Sequence, residues 1–345
     1  MSRVDFCKSF ISGISGATIT EAEALFLEQQ QPWGVILFSR NIVDRVQLQA
    51  LISHIKRIFK TPHYPILIDQ EGGRVARITT PMARAHPPAA NYGLLFEQNQ
   101  EAGLEAAYLG GRLMADDLMQ YGINIDCAPC LDVSRPETAE IIGTRSFSNN
   151  PNTVALLAAR FMDGLMAGGV LPVIKHIPGH GRGRVDSHLE LPEIDIPLAE
   201  LESSDFVPFQ HNKNAPLAMT GHLLFNQIDS QNVSTCSQIV VNQIIRETIG
   251  FKGLLMGDDV SMQALSGTIN ERGEGSLAAG CDLILHCNGV LEEMEMIAHI
   301  APPLTGASKE RALHVEQLLK STATPIENTM EQRWGELLSD IFKPA

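Results

Sequence analysis

Residues 34–69 read GVILFSRNIVDRVQLQALISHIKRIFKTPHYPILID. An apolar run over Gly34–Phe38 is followed by Val46–Phe59, in which apolar residues recur at i, i+3 and i+4, and then by a second apolar run, Ile66–Asp69. Short apolar runs bounded by Gly, Pro or charge predict strands, and the helical period between them predicts an amphipathic helix. Strand, crossover helix and strand make one βαβ unit, the connection that parallel strands require.

The same alternation extends in both directions. Further apolar runs lie at approximately Phe10–Ile14, Ile123–Cys127, Val173–Lys175, Leu217–Thr220, Leu254–Met256 and Leu283–Leu285, which makes eight. Helical period returns over Glu101–Tyr121 and over Thr153–Ala167, the latter stopped by Gly168-Gly169. Eight βα units predict an α/β fold, a single (β/α)8 TIM-type barrel. No Ser/Gly linker, long charge block or fixed-period repeat divides the chain, so residues 1–309 are expected to form one barrel. Residues 310–345 are expected to add a C-terminal helical extension packed on it, with Pro325 separating two helices.

Composition narrows the function. A net charge of −14 would repel a phosphate backbone, and no basic patch overrides it, which argues against nucleic-acid partners. Met1–Phe10 carries only Arg3 and Lys8 as positive charges and no sustained apolar core, and no stretch approaches the ~20 apolar residues of a membrane span. These features predict neither secretion nor membrane insertion. Cys7, Cys127, Cys130, Cys236, Cys281 and Cys287 are too sparse for a disulfide framework and are expected to be reduced, buried thiols. Cys127-Ala-Pro-Cys130 is formally a CxxC, but it has no second pair to complete a metal site.

In a TIM-type barrel the active site sits at the C-terminal ends of the strands. Polar residues gather there: Asp69, Lys175-His176, Thr220 with His222 beyond, Gly257-Asp258-Asp259, and His286. Any one of them is ordinary strand-end solvation. Five strand ends of this kind point to a shared rim.

Residues 175–188, KHIPGHGRGRVDSH, place three histidines, an aspartate and three glycines in one strand-to-helix loop. If the backbone is extended, Asp186 and His188 project to the same side, so the carboxylate can orient one ring nitrogen while the other faces a substrate. The glycines would let the loop take several shapes. A turn-rich surface loop accounts for the same composition. Residues 253–262, GLLMGDDVSM, deliver two adjacent carboxylates to the barrel mouth. Neighbouring strand residues point to opposite faces, so one acid can face the axis while the other caps the next helix. A carboxylate held beneath an anomeric carbon is the nucleophile of a retaining glycosidase. Residues 66–77, ILIDQEGGRVAR, bring acids and arginines suited to sugar hydroxyls, although a salt-bridged turn explains them equally. Arg145, in GTRSF at 143–147, is not singled out on its own.

Taken in order, IDQEGGRVAR (68–77), GTRSFS (143–148), KHIPGHG (175–181), DSH (186–188) and GDDVSM (257–262) resemble glycoside hydrolase family 3. The resemblance covers roughly residues 10–290 and is nearest to the single-domain bacterial β-N-acetylglucosaminidases of peptidoglycan recycling. It implies Asp258 as nucleophile, His188 as acid/base and Asp186 as its partner, with Asp69, Arg77, Arg145, Lys175 and His176 binding the terminal sugar. It also implies a small carbohydrate substrate, an N-acetylglucosaminyl-1,6-anhydro-muropeptide, in the cytoplasm, and no metal or organic cofactor. Lys175 and His176 are adjacent, so both can face one sugar only if the strand has already ended there. The family usually has Ser or Thr before the nucleophile where this chain has Gly257, which removes a local hydrogen-bond donor. The further domains of larger members have no counterpart, so every site residue is expected to come from this barrel.

Other chemistries place different demands on the same residues. A metallohydrolase would draw on His176, His180, His188, His222 and Asp258, but no HxH or HExxH spacing presents them as ligands. A catalytically silent sugar-binding barrel would not need the nucleophile and acid/base together. A phosphorylase, with phosphate opening the intermediate, would use the same residues as the hydrolase.

Overall fold

The computed structural model describes residues 2–136, 140–185, 190–327 and 329–342. Eight strands form one sheet: β1 (Lys8–Ser12), β2 (Pro32–Leu37), β3 (Ile66–Ile68), β4 (Ile125–Asp126), β5 (Leu171–Ile177), β6 (Leu217–Thr220), β7 (Leu254–Met256) and β8 (Ile284–His286). Every paired neighbour is parallel, in the order β7-β6-β5-β4-β3-β2-β1-β8. The two ends of that order meet. Met256 bridges Leu283, Gly257 N–H donates to the Leu283 carbonyl at 3.2 Å, and Val260 N–H donates to the Leu285 carbonyl at 3.0 Å. The sheet therefore closes into the expected barrel.

Alternation along each strand divides the core in two. Ile11, Ile36, Leu67, Val173, Met219, Leu254 and Leu285 point inward and form the barrel interior. Phe10, Val35, Ile66, Ile174, Ala218, Leu255 and Ile284 point outward and pack under the helices. Helices Arg45–Ile58, Gln100–Met119 and Pro151–Ala167 occupy the positions that the helical period indicated. Their starts are set by caps, with the Asp44 carboxylate accepting from Gln47 N–H and the Asn150 side chain accepting from Asn152 N–H.

The N-terminal end of the barrel is plugged. Val4 and Cys7, which precede β1, join Trp33 and the helix Gly306–Leu318 through Ala312 and Val315 in the interior cluster. A second helix, Met330–Leu338, follows beyond Pro325 and lies against Gln100–Met119, where Arg333 pairs with Glu105 at 2.7 Å. All six cysteines are free thiols, and burial pushes Cys281 up to about 12. Among the described residues, no helix is long and apolar enough to cross a membrane.

Candidate active site

The plug leaves the C-terminal end of the barrel open, and a cavity of about 540 Å³ sits there. Period two selects what faces it. Asp69 is in phase with inward Leu67, Lys175 with Leu171 and Val173, and Asp258 with Leu254 and Met256, and all three line the cavity. Arg77, Arg145 and His176 line it as well, while Ile36, Phe38, Met219 and Met262 supply apolar wall.

The phase of β8 overturns one strand-end expectation. Leu285 and Cys287 face inward, so His286 is turned out, and its Nε2 lies 3.0 Å from Glu293 Oε2. His222 does not line the cavity either and lies fully buried behind the Asp258 corner. The strand-end condition for Lys175 and His176 is also corrected. Both line the cavity although β5 continues to Ile177, because the pairing register to β6 slips between Lys175 and Ile177. An irregularity of this kind re-aims a side chain that strict alternation would send to the other face.

The polar floor is one connected chain of charges. Arg77 Nη2 lies 3.1 Å from Asp69 Oδ2, and Lys175 Nζ bridges Asp69 Oδ1 at 2.8 Å and Glu71 Oε1 at 2.6 Å. Arg145 clamps Glu71 with two contacts, Nε to Oε2 at 2.8 Å and Nη2 to Oε1 at 2.7 Å. Arg145 Nη2 also lies 3.3 Å from His176 Nε2, and His176 Nδ1 lies 2.7 Å from Asp132 Oδ2. Guanidinium only donates, so Nε2 accepts and the His176 proton sits on Nδ1, facing Asp132. Burial alone would raise the Glu71 carboxyl, but Arg145 and Lys175 outweigh it and hold it well below the usual range. For Asp69 the same burial is overcome by Lys175 and Arg77. Burial would lower Lys175, yet Asp69 and Glu71 raise it. The floor is thus a fixed array of ionised donors and acceptors.

Gln70 fixes the hairpin that carries two of these groups. Its Oε1 accepts from Arg77 N–H at 2.8 Å and Ile78 N–H at 3.0 Å, and its Nε2 donates to the Ile78 carbonyl at 2.7 Å. The first strand of the hairpin ends at Gly72, φ +91°, just before the turn, where a Cβ would lie 2.4 Å from the Pro87 carbonyl oxygen. Only glycine fits there.

The adjacent acids divide their tasks. Asp259 Oδ1 accepts from Ser261 N–H and Cys287 N–H, both at 3.1 Å, and its Oδ2 accepts from Ser261 Oγ at 2.6 Å. That closes a turn and is not the helix cap expected of one member of the pair, since the next helix, Ile269–Ala279, is capped by Thr268. Asp258 Oδ1 accepts from Asp259 N–H at 2.8 Å at the cavity wall.

The profile of the glycosyl hydrolase family 3 N-terminal domain matches residues 7–318. The chain belongs to glycosyl hydrolase family 3. It is 38% identical over 294 residues to a β-hexosaminidase of Chromobacterium violaceum, a match covering 84% of this chain and 81% of that one. A β-hexosaminidase of Neisseria meningitidis serogroup B is 35% identical over 340 residues, covering 97% and 87% respectively. Among solved structures, NagZ from Neisseria gonorrhoeae in complex with N-trifluoroacetyl-D-glucosamine superposes with a TM-score of 0.86 at 30% identity, over 97% of this chain and 98% of that one. This family 3 chain is a glycoside hydrolase of the β-hexosaminidase branch.

Of the expected family 3 site residues, Asp69, Arg77, Arg145, Lys175, His176 and Asp258 meet around this one cavity. Asp186 and His188 lie outside the described residues. Two acids were not singled out in the sequence. Glu71 is in phase with Asp69 and was hidden within the same motif. Asp132, one acid between Leu131 and Val133, holds both His176 and the backbone of His180, whose N–H it accepts at 2.6 Å. His180 lines the cavity, and burial lowers its pKa to about 4 against the opposing pull of Asp132. Cys130, Asp132 and His176 bring one potential metal-ligand atom each within 4.8 Å of one another. Their proximity follows from hydrogen bonding, since Cys130 Sγ lies 3.1 Å from Asp132 Oδ2 and burial keeps that thiol protonated.

Proposed function

We propose that this chain is a retaining exo-β-N-acetylglucosaminidase in which Asp258 is the nucleophile, His188 the acid/base and Asp186 the partner of that histidine. Asp69, Arg77, Arg145, Lys175 and His176 bind the terminal sugar. The observation that carries the reading is Asp258 placed at the wall of a cavity whose floor is the Arg77–Asp69–Lys175–Glu71–Arg145–His176 chain. Such a floor offers fixed acceptors and donors to ring hydroxyls, and a cavity of about 540 Å³ at the open C-terminal end of a barrel plugged at its other end suits a chain terminus. The complex of the gonococcal relative with N-trifluoroacetyl-D-glucosamine supports an N-acylated glucosamine as the ligand in this reading.

In the first step a carboxylate oxygen of Asp258 bonds to the anomeric carbon as the glycosidic bond breaks, and His188 gives its proton to the leaving oxygen. In the second, water attacks the same carbon, neutral His188 takes a proton from that water, and the Asp258 ester breaks. The natural substrates in this reading are N-acetylglucosaminyl-1,6-anhydro-muropeptides released during peptidoglycan recycling, and the enzyme works in the cytoplasm. Release of nitrophenol from nitrophenyl N-acetyl-β-glucosaminide tests it. Wild type releases nitrophenol and free N-acetylglucosamine, and Asp258→Ala loses the activity. Full activity in Asp258→Ala rejects the nucleophile, and a sugar phosphate formed only with added phosphate rejects hydrolysis.

A further inference from the structure

Gly257 leaves the residue before Asp258 without a side-chain hydroxyl, yet three buried groups from β6 and the segment after it surround that corner. Asp258 N–H donates to Thr220 Oγ1 in a long contact of 3.4 Å. Thr220 Oγ1 lies 2.7 Å from Thr235 Oγ1, which lies 2.8 Å from His222 Nδ1, and His222 Nε2 lies 3.0 Å from the Asp259 carbonyl oxygen. All three side chains are 0% exposed.

With a neutral His222 ring one proton arrangement satisfies every link of this chain, beside a longer contact of Thr235 Oγ1 to the Gly221 carbonyl at 3.3 Å. A carbonyl only accepts, so His222 carries its proton on Nε2 and presents a lone pair at Nδ1. Thr235 must then donate to His222 and accept from Thr220, which leaves the Thr220 oxygen to accept from Asp258 N–H. The chain starts at the N–H of residue 258 and returns to the carbonyl of residue 259, so it holds the two peptide groups that flank the Asp258-Asp259 pair. Burial holds the His222 pKa down, against the opposing pull of Asp258, in keeping with the neutral ring this arrangement needs. A Cβ on Gly257 would lie 2.8 Å from Thr235 Cγ2 and 3.0 Å from Ser276 Oγ, so the space of a side chain at 257 is already taken by Thr235 and Ser276.

We propose that Thr220, Thr235 and His222 are positioning residues that aim the Asp258 carboxylate into the cavity, replacing in trans a hydroxyl absent at residue 257. The proposal rests on Asp258 being the nucleophile. A displacement of ~1 Å at a reacting group costs on the order of 100-fold in rate.

The experiment compares Thr235→Val, Thr235→Ser and Asp258→Ala on nitrophenyl N-acetyl-β-glucosaminide, with the inhibition constant of N-acetylglucosamine as a binding readout. Thr235→Val is expected to lose about 10- to 100-fold in kcat with the inhibition constant within about twofold, whereas Thr235→Ser, which keeps the hydroxyl, stays within about threefold of wild type. Gly257→Ala supplies a second arm: it is expected to lower kcat by pressing on Thr235 Cγ2, and Gly257→Ala/Thr235→Ser, which removes that methyl, is expected to recover it. A Thr235→Val kcat within about twofold of wild type overturns the proposal, as does a Thr235→Ser variant as impaired as Thr235→Val. If Thr235→Val does not fold, the Gly257 pair decides, and wild-type kcat in Gly257→Ala overturns it. An active Asp258→Ala sinks the nucleophile itself; an inactive Asp258→Ala beside an unaffected Thr235→Val sinks only the positioning network.

Discussion

His176 is held by Asp132: Nδ1 of the ring donates to Oδ2 at 2.7 Å, while the other carboxylate oxygen accepts from His180 N–H at 2.6 Å. One buried carboxylate thus fixes the tautomer of His176 and the turn that leaves β5 toward residue 180. Burial would raise the Asp132 pKa, but His176 and His180 outweigh it and hold it well below the usual carboxylate range.

Asp132→Asn preserves size and removes the second acceptor. The amide NH2 then faces either His176 Nδ1–H or His180 N–H, donor against donor, in a site with no solvent to repair it. Breaking a buried charged partner costs about 3–5 kcal/mol. Urea unfolding at pH 7 is expected to show that loss, with KM for nitrophenyl N-acetyl-β-glucosaminide raised by at least about tenfold as His176 loses its orientation. Wild-type stability in the variant would show that Asp132 does not hold the turn.

The barrel was legible because its strands are apolar runs with clear borders. Leu217–Thr220 and Leu254–Met256 end where the sequence places them, between Pro216 and Gly221 and between Gly253 and Gly257. β5 is longer than its apolar run because Pro172 and the polar pair Lys175-His176 disguise its ends. The charged residues of the cavity were legible as charges following strands, and for Asp69, Lys175 and Asp258 period two gives their direction. Asp132 and Thr235 were not legible. Each is a single polar residue whose meaning comes from a partner elsewhere in the chain, His176 for one and Thr220 with His222 for the other, and no local pattern carries that information.

Acid is expected to unfold the protein in two stages. His180 is lowered by burial to about 4, and an unfolded histidine titrates near ~6.5, so the unfolded chain binds that proton first and stability falls as pH drops from about 6.5 to about 4. At 1.36 kcal/mol per unit this limb is worth about 3 kcal/mol for His180 alone. His222, also lowered by burial, adds to it, so His180→Asn should shrink the slope without abolishing it. Asp69, Glu71 and Asp132 have depressed folded values, so their contribution is intact above the ordinary carboxylate range near ~4 and is lost as pH falls through those values. Urea titrations from pH 7 to pH 3 measure both limbs, and a flat profile between pH 6.5 and 4 would contradict the burial of neutral His180.

Lys175 separates Asp69 from Glu71, at 2.8 Å and 2.6 Å, and Glu71 already pushes the Asp69 pKa upward. Lys175→Met leaves two carboxylates facing each other with one cation fewer. The expected cost is about 3–5 kcal/mol, the usual result of removing one partner from a buried ion pair. Adding Glu71→Gln removes the repulsion, so Lys175→Met/Glu71→Gln should be less unstable than the sum of the single variants by about 1–3 kcal/mol. Strict additivity in that cycle would mean the three charges do not act together.

Trp334 ties the C-terminal helix to the charged floor of the cavity through two intermediates. Its ring centroid is 5.4 Å from that of His86, the side chain is 7% exposed, and the neighbouring Arg84 joins Glu331 of the same helix to Asp117. The His86 carbonyl in turn accepts from Gly73 N–H at 2.9 Å, in the hairpin that carries Glu71 and Arg77. Trp334→Ala removes a large buried ring, for which about 3–5 kcal/mol is the ordinary cost. Because the segment it supports buttresses the hairpin, KM for nitrophenyl N-acetyl-β-glucosaminide should rise several-fold while kcat, which in the proposed mechanism depends on Asp258 across the cavity, changes little. A stability loss with no change in KM would show that the helix braces the barrel without reaching the hairpin, and an unchanged melting temperature would show that it braces neither.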